Sequence, residues 1–185
     1  MATIAQPLPA HLFFSKIRGI ALLPDSIGQL TALQKMDLSR CGHIALLPNS
    51  IGHLIALQTL DLSWCCGLVG LPDSIGNLTA LRTLILSHCG HIASLPESIG
   101  HLIALRTLDL SRCRGLVELP DTSRRMTALT KLYLDFCAVV RFSGLQGSIQ
   151  IAAALQMGVL SSDESSIDES SNDSDHASFE SSDSE

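Results

Sequence analysis

The chain has 185 residues, enough for one domain of ordinary size, and is 46% hydrophobic but only 4% aromatic, so Leu and Ile must supply nearly all of its core. Its net charge of -6 hides a split: residues 1–160 carry all 12 Lys and Arg against 9 acids (+3), whereas residues 161–185 carry the other 9 acids and no Lys or Arg (-9). No apolar run approaches the ~20 residues of a membrane span, and MATIAQPLPAHLFFSKIRG has no basic stretch ahead of an apolar run, so the expected setting is cytoplasmic or nuclear, with no membrane role.

In chain order, residues 1–22 read as a partial N-terminal unit or cap. Leu12, Phe14, Ile17 and Ile20 stand where the same apolar positions recur 24 residues later. Residues 23–137 hold five 24-residue units. Each opens on a Leu-Pro pair, the first being Leu23-Pro24, and closes on Cys41, Cys65, Cys89, Cys113 or Cys137. A period of this length decides the architecture before any local signal does. Within each unit the apolar positions follow LxxLxLxxCxxLxxLP, and the LxL alternation predicts a strand of three to five residues.

The other half of each unit, PxSIGxLxAL, spaces Ile and Leu three apart, as in Ile51, Leu54 and Leu57. That predicts a short helix or 3₁₀ turn, begun by an acidic or amide residue and a Ser, and weakened by Gly28, Gly52, Gly76 and Gly100 at about 1 kcal/mol each. A strand and a turn in so few residues cannot bury their apolar faces alone. Stacked copies can, with parallel strands ~4.8 Å apart.

Residues 138–160 read as a worn last unit. LQGSIQIAAALQMGVLS mirrors LPDSIGQLTALQKMDLS, with Ile149, Leu155 and Leu160 on ladder positions. A second period overlies the first: residues 41–73 and 89–121 agree at 27 of 33 positions. The six differences include Trp64 against Arg112, Cys66 against Arg114 and Gln58 against Arg106, on or beside the predicted strands.

The units LPDSIGNLTALRTLILSHC (71–89) and LPESIGHLIALRTLDLSRC (95–113) make the sequence resemble leucine-rich repeat proteins over residues 9–160. The flavour is most similar to the cytoplasmic repeats of plant intracellular disease-resistance proteins of the TIR/NB-LRR type. The resemblance implies an α/β leucine-rich repeat solenoid, with a curved parallel β-sheet on the concave face and short helices or 3₁₀ turns on the convex face. It also implies a non-catalytic protein-interaction module, in plant-type defence or intracellular signalling. The chain has no GxxxxGK[ST] loop, so it lacks the nucleotide switch of those receptors.

Residues between ladder positions face away from the core, which gives the candidate partner-binding set: Lys35, Asp37, Arg40, Asp61, Trp64, Ile85, His88, Asp109, Arg112, Tyr133 and Phe136. Trp, Tyr and Arg dominate binding hot spots, and Trp64 stands one strand from Arg40, within cation–π reach. Five cysteines follow the repeat, so they are spread along a line rather than gathered around a zinc ion, and they read as buried thiols donating to turn carbonyls. Cys66 breaks the pattern and is expected at the surface. His43, His91, His53 and His101 read as duplicated surface residues. Asp37 and Asp61 are neighbours, but with no nucleophile beside them they do not make a catalytic pair. No catalytic, metal or cofactor residue is assigned, no nucleic acid is expected, and the chain is read as a monomer.

From Ser161 the composition shifts to 11 Ser and 9 acids in 25 residues, with Ile167 and Phe179 as the large apolar residues, which predicts a disordered acidic tail. Ser161, Ser165, Ser166, Ser170 and Ser182 precede an acid at the third position and resemble acidophilic kinase sites. The tail is expected to take a basic partner or a kinase, or to compete for the basic residues of the concave face. The alternative reading follows from the same layout, which is similar to acidic leucine-rich nuclear phosphoproteins that bind histones and inhibit phosphatases.

Overall fold

A computed structural model describes residues 10–15, 19–137 and 150–152. Seven three-residue strands pair in chain order as one parallel sheet. They are β1 (His11–Phe13), β2 (Lys35–Asp37), β3 (Thr59–Asp61), β4 (Thr83–Ile85), β5 (Thr107–Asp109), β6 (Lys131–Tyr133) and β7 (Gln150–Ala152). The register from β1 to β6 is the repeat itself, with Leu12, Met36, Leu60, Leu84, Leu108 and Leu132 side by side. From Met36 onward these middle residues are buried, and with Leu33, Leu57, Leu81 and Leu105 they form one continuous core. Each such burial contributes roughly 1.5–3 kcal/mol, and the sum holds units together that could not fold singly.

Between strands lie five-residue 3₁₀ turns: η1 (Asp25–Gln29), η2 (Asn49–His53), η3 (Asp73–Asn77), η4 (Glu97–His101) and η5 (Asp121–Arg125). Proline precedes each one in extended conformation, with φ between -71° and -64°. Successive three-residue bonds then wind the chain: Ile51 N–H donates to Pro48 C=O at 3.0 Å, Leu54 to Ile51 at 3.1 Å and Leu57 to Leu54 at 2.9 Å. The expected polar start chemistry is not used, since none of the five turns has a side-chain cap. The hydroxyls of Ser50, Ser74 and Ser98 are instead buried without a hydrogen-bond partner among the described residues.

The glycine of each turn also has a different cause from the one the sequence suggests. A Cβ built on Gly28, Gly52, Gly76 or Gly100 would stand 2.4–2.6 Å from a carbonyl oxygen of the next unit's turn. These positions lack a side chain because adjacent turns touch there. In η5 the equivalent residue is Arg124, and no further 3₁₀ turn stacks on it among the described residues.

The cysteine column is a second ladder. Cys41, Cys65, Cys89, Cys113 and Cys137 each donate Sγ–H to a carbonyl 27 residues earlier, those of Phe14, Leu38, Leu62, Leu86 and Leu110, at 2.8–3.3 Å. Leu38 C=O already accepts Cys41 N–H at 3.1 Å, so the next unit's thiol takes its second lone pair. Burial, reinforced by the neighbouring thiols of the column, pushes Cys65 and Cys113 up from 9.0 to about 12, and Cys89 in the same direction.

The last strand departs from the sequence reading. β7 follows β6 by 19 residues, with Ile151 beside Leu132, and it uses residues that the alignment sets opposite Gly28–Leu30. Ile149, Leu155 and Leu160 lie outside the described residues.

Two outcomes are expected. Gly76→Ala forces adjacent turns apart and should lower stability by about 1–3 kcal/mol in urea unfolding, while Gly70→Ala, where an added Cβ meets nothing within 4 Å, should leave the midpoint within about 0.5 kcal/mol. The raised thiols bind protons more tightly folded than unfolded. Their contribution is therefore whole below pH 9.0 and is lost as pH rises from 9.0 toward 12. Urea midpoints should fall over that window and fall less in Cys65→Ala and Cys113→Ala; equal slopes would refute the assignment.

Candidate functional site

A three-residue strand turns its middle side chain into the core and its outer two onto the open face. Lys35, Asp37, Asp61, Ile85, Asp109 and Tyr133 all stand at outer positions of β2 to β6; Lys35 is exposed and the others are half-buried. The aspartates are committed to the backbone. Asp37, Asp61 and Asp109 each accept the N–H of the serine two residues on, Ser39, Ser63 and Ser111, at 2.8–2.9 Å. They fasten the turn that follows each strand, and Ile85 in the same column offers Ser87 no such acceptor.

That turn carries the feature that periodicity did not disclose. Arg40, Trp64, His88, Arg112 and Phe136 all adopt left-handed backbone, with φ from 58° to 65°. Bulky residues rarely do so, at a cost of roughly 1–2 kcal/mol each. The conformation lets the N–H groups of Arg40, Trp64, His88 and Arg112 extend the parallel ladder past the strands, donating to the carbonyls of Ser63, Ser87, Ser111 and Asp135 at 2.6–2.8 Å.

Five closely similar backbones then align side chains of four kinds. The Arg40 guanidinium carbon lies 5.8 Å from the Trp64 ring centre. Trp64 stacks on His88 with ring centres 3.6 Å apart and planes 12° from parallel. Arg112 lies over Phe136 at 4.5 Å. The result is a file of rings and guanidinium groups along one side of the sheet, with Trp64 44% and Phe136 52% exposed. Desolvation holds His88 below its usual imidazole value, and the positive charges of Arg112 and Arg114 push the same way against Asp109.

The sequence reading placed all eleven candidates on this side of the molecule, and the Arg40–Trp64 contact is present. At the N-terminal edge, His11 and Phe13 hold the first outward positions of the same columns, and the structure adds that exposed Phe13 meets His11 edge-on at 6.2 Å. The sequence reading missed a cavity. Beyond His88, an open pocket of ≈ 310 Å³ is lined by Cys66, His88, Gly90, His91, Arg112 and Arg114. Two of its members, Cys66 and Arg114, are a position where the duplicated halves differ, which was the available signal. The candidate serines at 161, 165, 166, 170 and 182 lie outside the described residues. Among the described residues, no group of three or more His, Cys, Asp or Glu could hold a metal ion, and no helix is long and apolar enough to cross a membrane.

The family model described as Leucine Rich Repeat matches residues 56–78 and 80–102. Among solved structures, the chain is similar to a leucine-rich repeat protein of Leptospira interrogans, at 28% identity over 64% of this chain and 35% of that one, with a TM-score of 0.47. It is similar to the plant peptide hormone receptor RGFR1 in complex with RGF2, at 25% identity over 69% and 23%, TM-score 0.48. A third likeness is to the LRR ectodomain of the Arabidopsis thaliana membrane receptor kinase GASSHO1/SCHENGEN3 in complex with CASPARIAN STRIP INTEGRITY FACTOR 2, at 26% over 64% and 17%, TM-score 0.45. The chain thus spans 35% or less of the length of each. No curated protein matches it in sequence.

The stack makes a spectroscopic prediction. His88 should titrate below 6.5 in an NMR pH series, and Trp64→Ala, which strips an imidazole face of its cover, should move it back toward 6.5. An unmoved His88 resonance would mean that the Trp64 stack does not desolvate the ring.

Proposed function

We propose that this chain, whose fold is a leucine-rich repeat solenoid, is a non-catalytic protein-recognition module whose partner lies across the open face of the sheet. The observation that carries this reading is the file Arg40–Trp64–His88–Arg112–Phe136, held by left-handed backbone and partly exposed. Trp, Tyr and Arg are the residues most enriched at binding hot spots. Side chains already stacked on one another lose little further freedom on association, which lowers the ordering cost that otherwise consumes interface energy. Lys35, Ile85 and Tyr133 flank the file and would complete the contact. The aspartates would contribute mostly by holding the turns. The likeness of the repeat units to those of plant intracellular disease-resistance proteins supports a place in defence or intracellular signalling.

Paired affinity captures from one extract, with the wild-type chain and the Trp64→Ala/Tyr133→Ala double variant as baits, test this. Proteins held by the wild type should be lost with the double variant, while both baits unfold at similar urea concentrations. A double variant that recovers the same proteins in the same amounts would sink the reading.

A further inference from the structure

The pocket beside the file has a chemistry of its own. Its lining brings together Arg112, Arg114, His88 and His91 and includes no carboxylate residue. Asp109, whose charge reaches His88, has its Oδ1 accepting the Ser111 N–H at 2.9 Å. Arg112 is steadied by lying over Phe136. His91 is anchored through Nδ1 to the Cys66 carbonyl, and Cys66 Sγ–H points toward His88 C=O at 3.8 Å. The cavity is thus an open site with two arginines and no carboxylate in its lining, on a chain whose net charge is negative.

The position is also singular within the repeat. Arg114 stands where the other half of the duplication has Cys66, and Arg112 where it has Trp64. Units two and four therefore contribute different residues around His88 and His91 of unit three, and no other pair of units reproduces the set.

We propose that this pocket is an oxyanion site, and that its occupant is the chain's own segment 161–185, whose aspartate, glutamate or phosphoserine groups bind the two arginines. Charge complementarity is near total, because the segment has 9 acids and no Lys or Arg. Chain length permits it. Ser161 lies nine residues beyond Ala152 at the end of β7, an extended reach of ~30 Å, whereas the pocket lies two to three strands from β7, or roughly 10–15 Å. Arginine forks pair bidentately with carboxylate and phosphate alike. The inference does not depend on which partner the sheet face takes.

Cys66 is a reporter already in place. It is exposed, whereas Cys41, Cys65, Cys89 and Cys113 are buried and Cys137 is half-buried. Its alkylation by iodoacetate, an anion, is compared with alkylation by neutral iodoacetamide, in full-length protein at low salt, with the modified residue identified by peptide mass spectrometry. In the wild type the occupied pocket should disfavour the anion. Changing the nine tail acids to Asn or Gln should raise the iodoacetate-to-iodoacetamide rate ratio by about tenfold, as expected for a vacated cationic cleft. A synthetic peptide of residues 161–185, with or without phosphoserine, should lower the ratio again, and its two forms distinguish carboxylate from phosphate as the bound group. Arg114→Gln, at an exposed position, and Arg112→Gln should each remove most of the effect of the tail change.

The proposal is overturned if neutralising the tail leaves the ratio unchanged, or if the tail effect persists without the arginines. It is equally overturned if protection in the wild type grows with protein concentration, since a second copy would then be the source.

Discussion

The parallel ladder sets each unit ~4.8 Å from the next, and this spacing decides what every column of the repeat can contain. A column stacked at that distance must be occupied by residues that tolerate an identical neighbour above and below. Leucine does so in the core, where branched apolar side chains close-pack. The column of Gly28, Gly52, Gly76 and Gly100 does so by having nothing to collide. The column of buried cysteines does so by giving each thiol the preceding unit's carbonyl instead of another sulfur.

The same spacing explains why unlike residues line up where function is expected. Aromatic rings stack at separations not far from the strand spacing, so any column of flat groups can form a continuous file. Trp64 and His88 do this directly, and Arg40 and Arg112 insert planar guanidinium groups into the series. A repeat that fixes its backbone to within a few degrees of φ from unit to unit leaves only side-chain identity to vary. Under the proposed recognition role, specificity would be written in one dimension, one residue per unit. The basic pocket follows from this arrangement, because it needs contributions from three consecutive units in one order.

Most of the fold was legible in the sequence because the features that make it are periodic. Strands β1 to β6, the turns, the thiol column and the outward positions fall where the 24-residue register names them. What was not legible depends on approach distances and torsions. The turn glycines read as weak helix formers, since sequence shows their missing Cβ but not the carbonyl that would meet it. The serines before them read as caps, although proline fixes the start of the turn and the hydroxyls end up buried. Arg40 and its counterparts read as strand residues, because nothing in Arg, Trp, His or Phe announces left-handed backbone. β7 escaped the register because the unit before it is shortened, so its strand falls on residues that the alignment gives to a turn.

The left-handed column also bears on why those residues are there. Glycine would adopt the conformation at little cost, and asparagine at less than any bulky side chain. The chain instead places Arg, Trp, His, Arg and Phe at the five positions, each opposed by roughly 1–2 kcal/mol of local strain. Exposed aromatic and cation–π contacts return only about 0.5–1.5 kcal/mol per pair. Among the described residues there are three such pairs along the file. The stacking therefore offsets no more than part of the strain, and folding stability alone would favour smaller residues at these positions. The strain that stacking leaves uncompensated is what the proposed recognition role would account for, since such a surface gains its return on contact with another molecule.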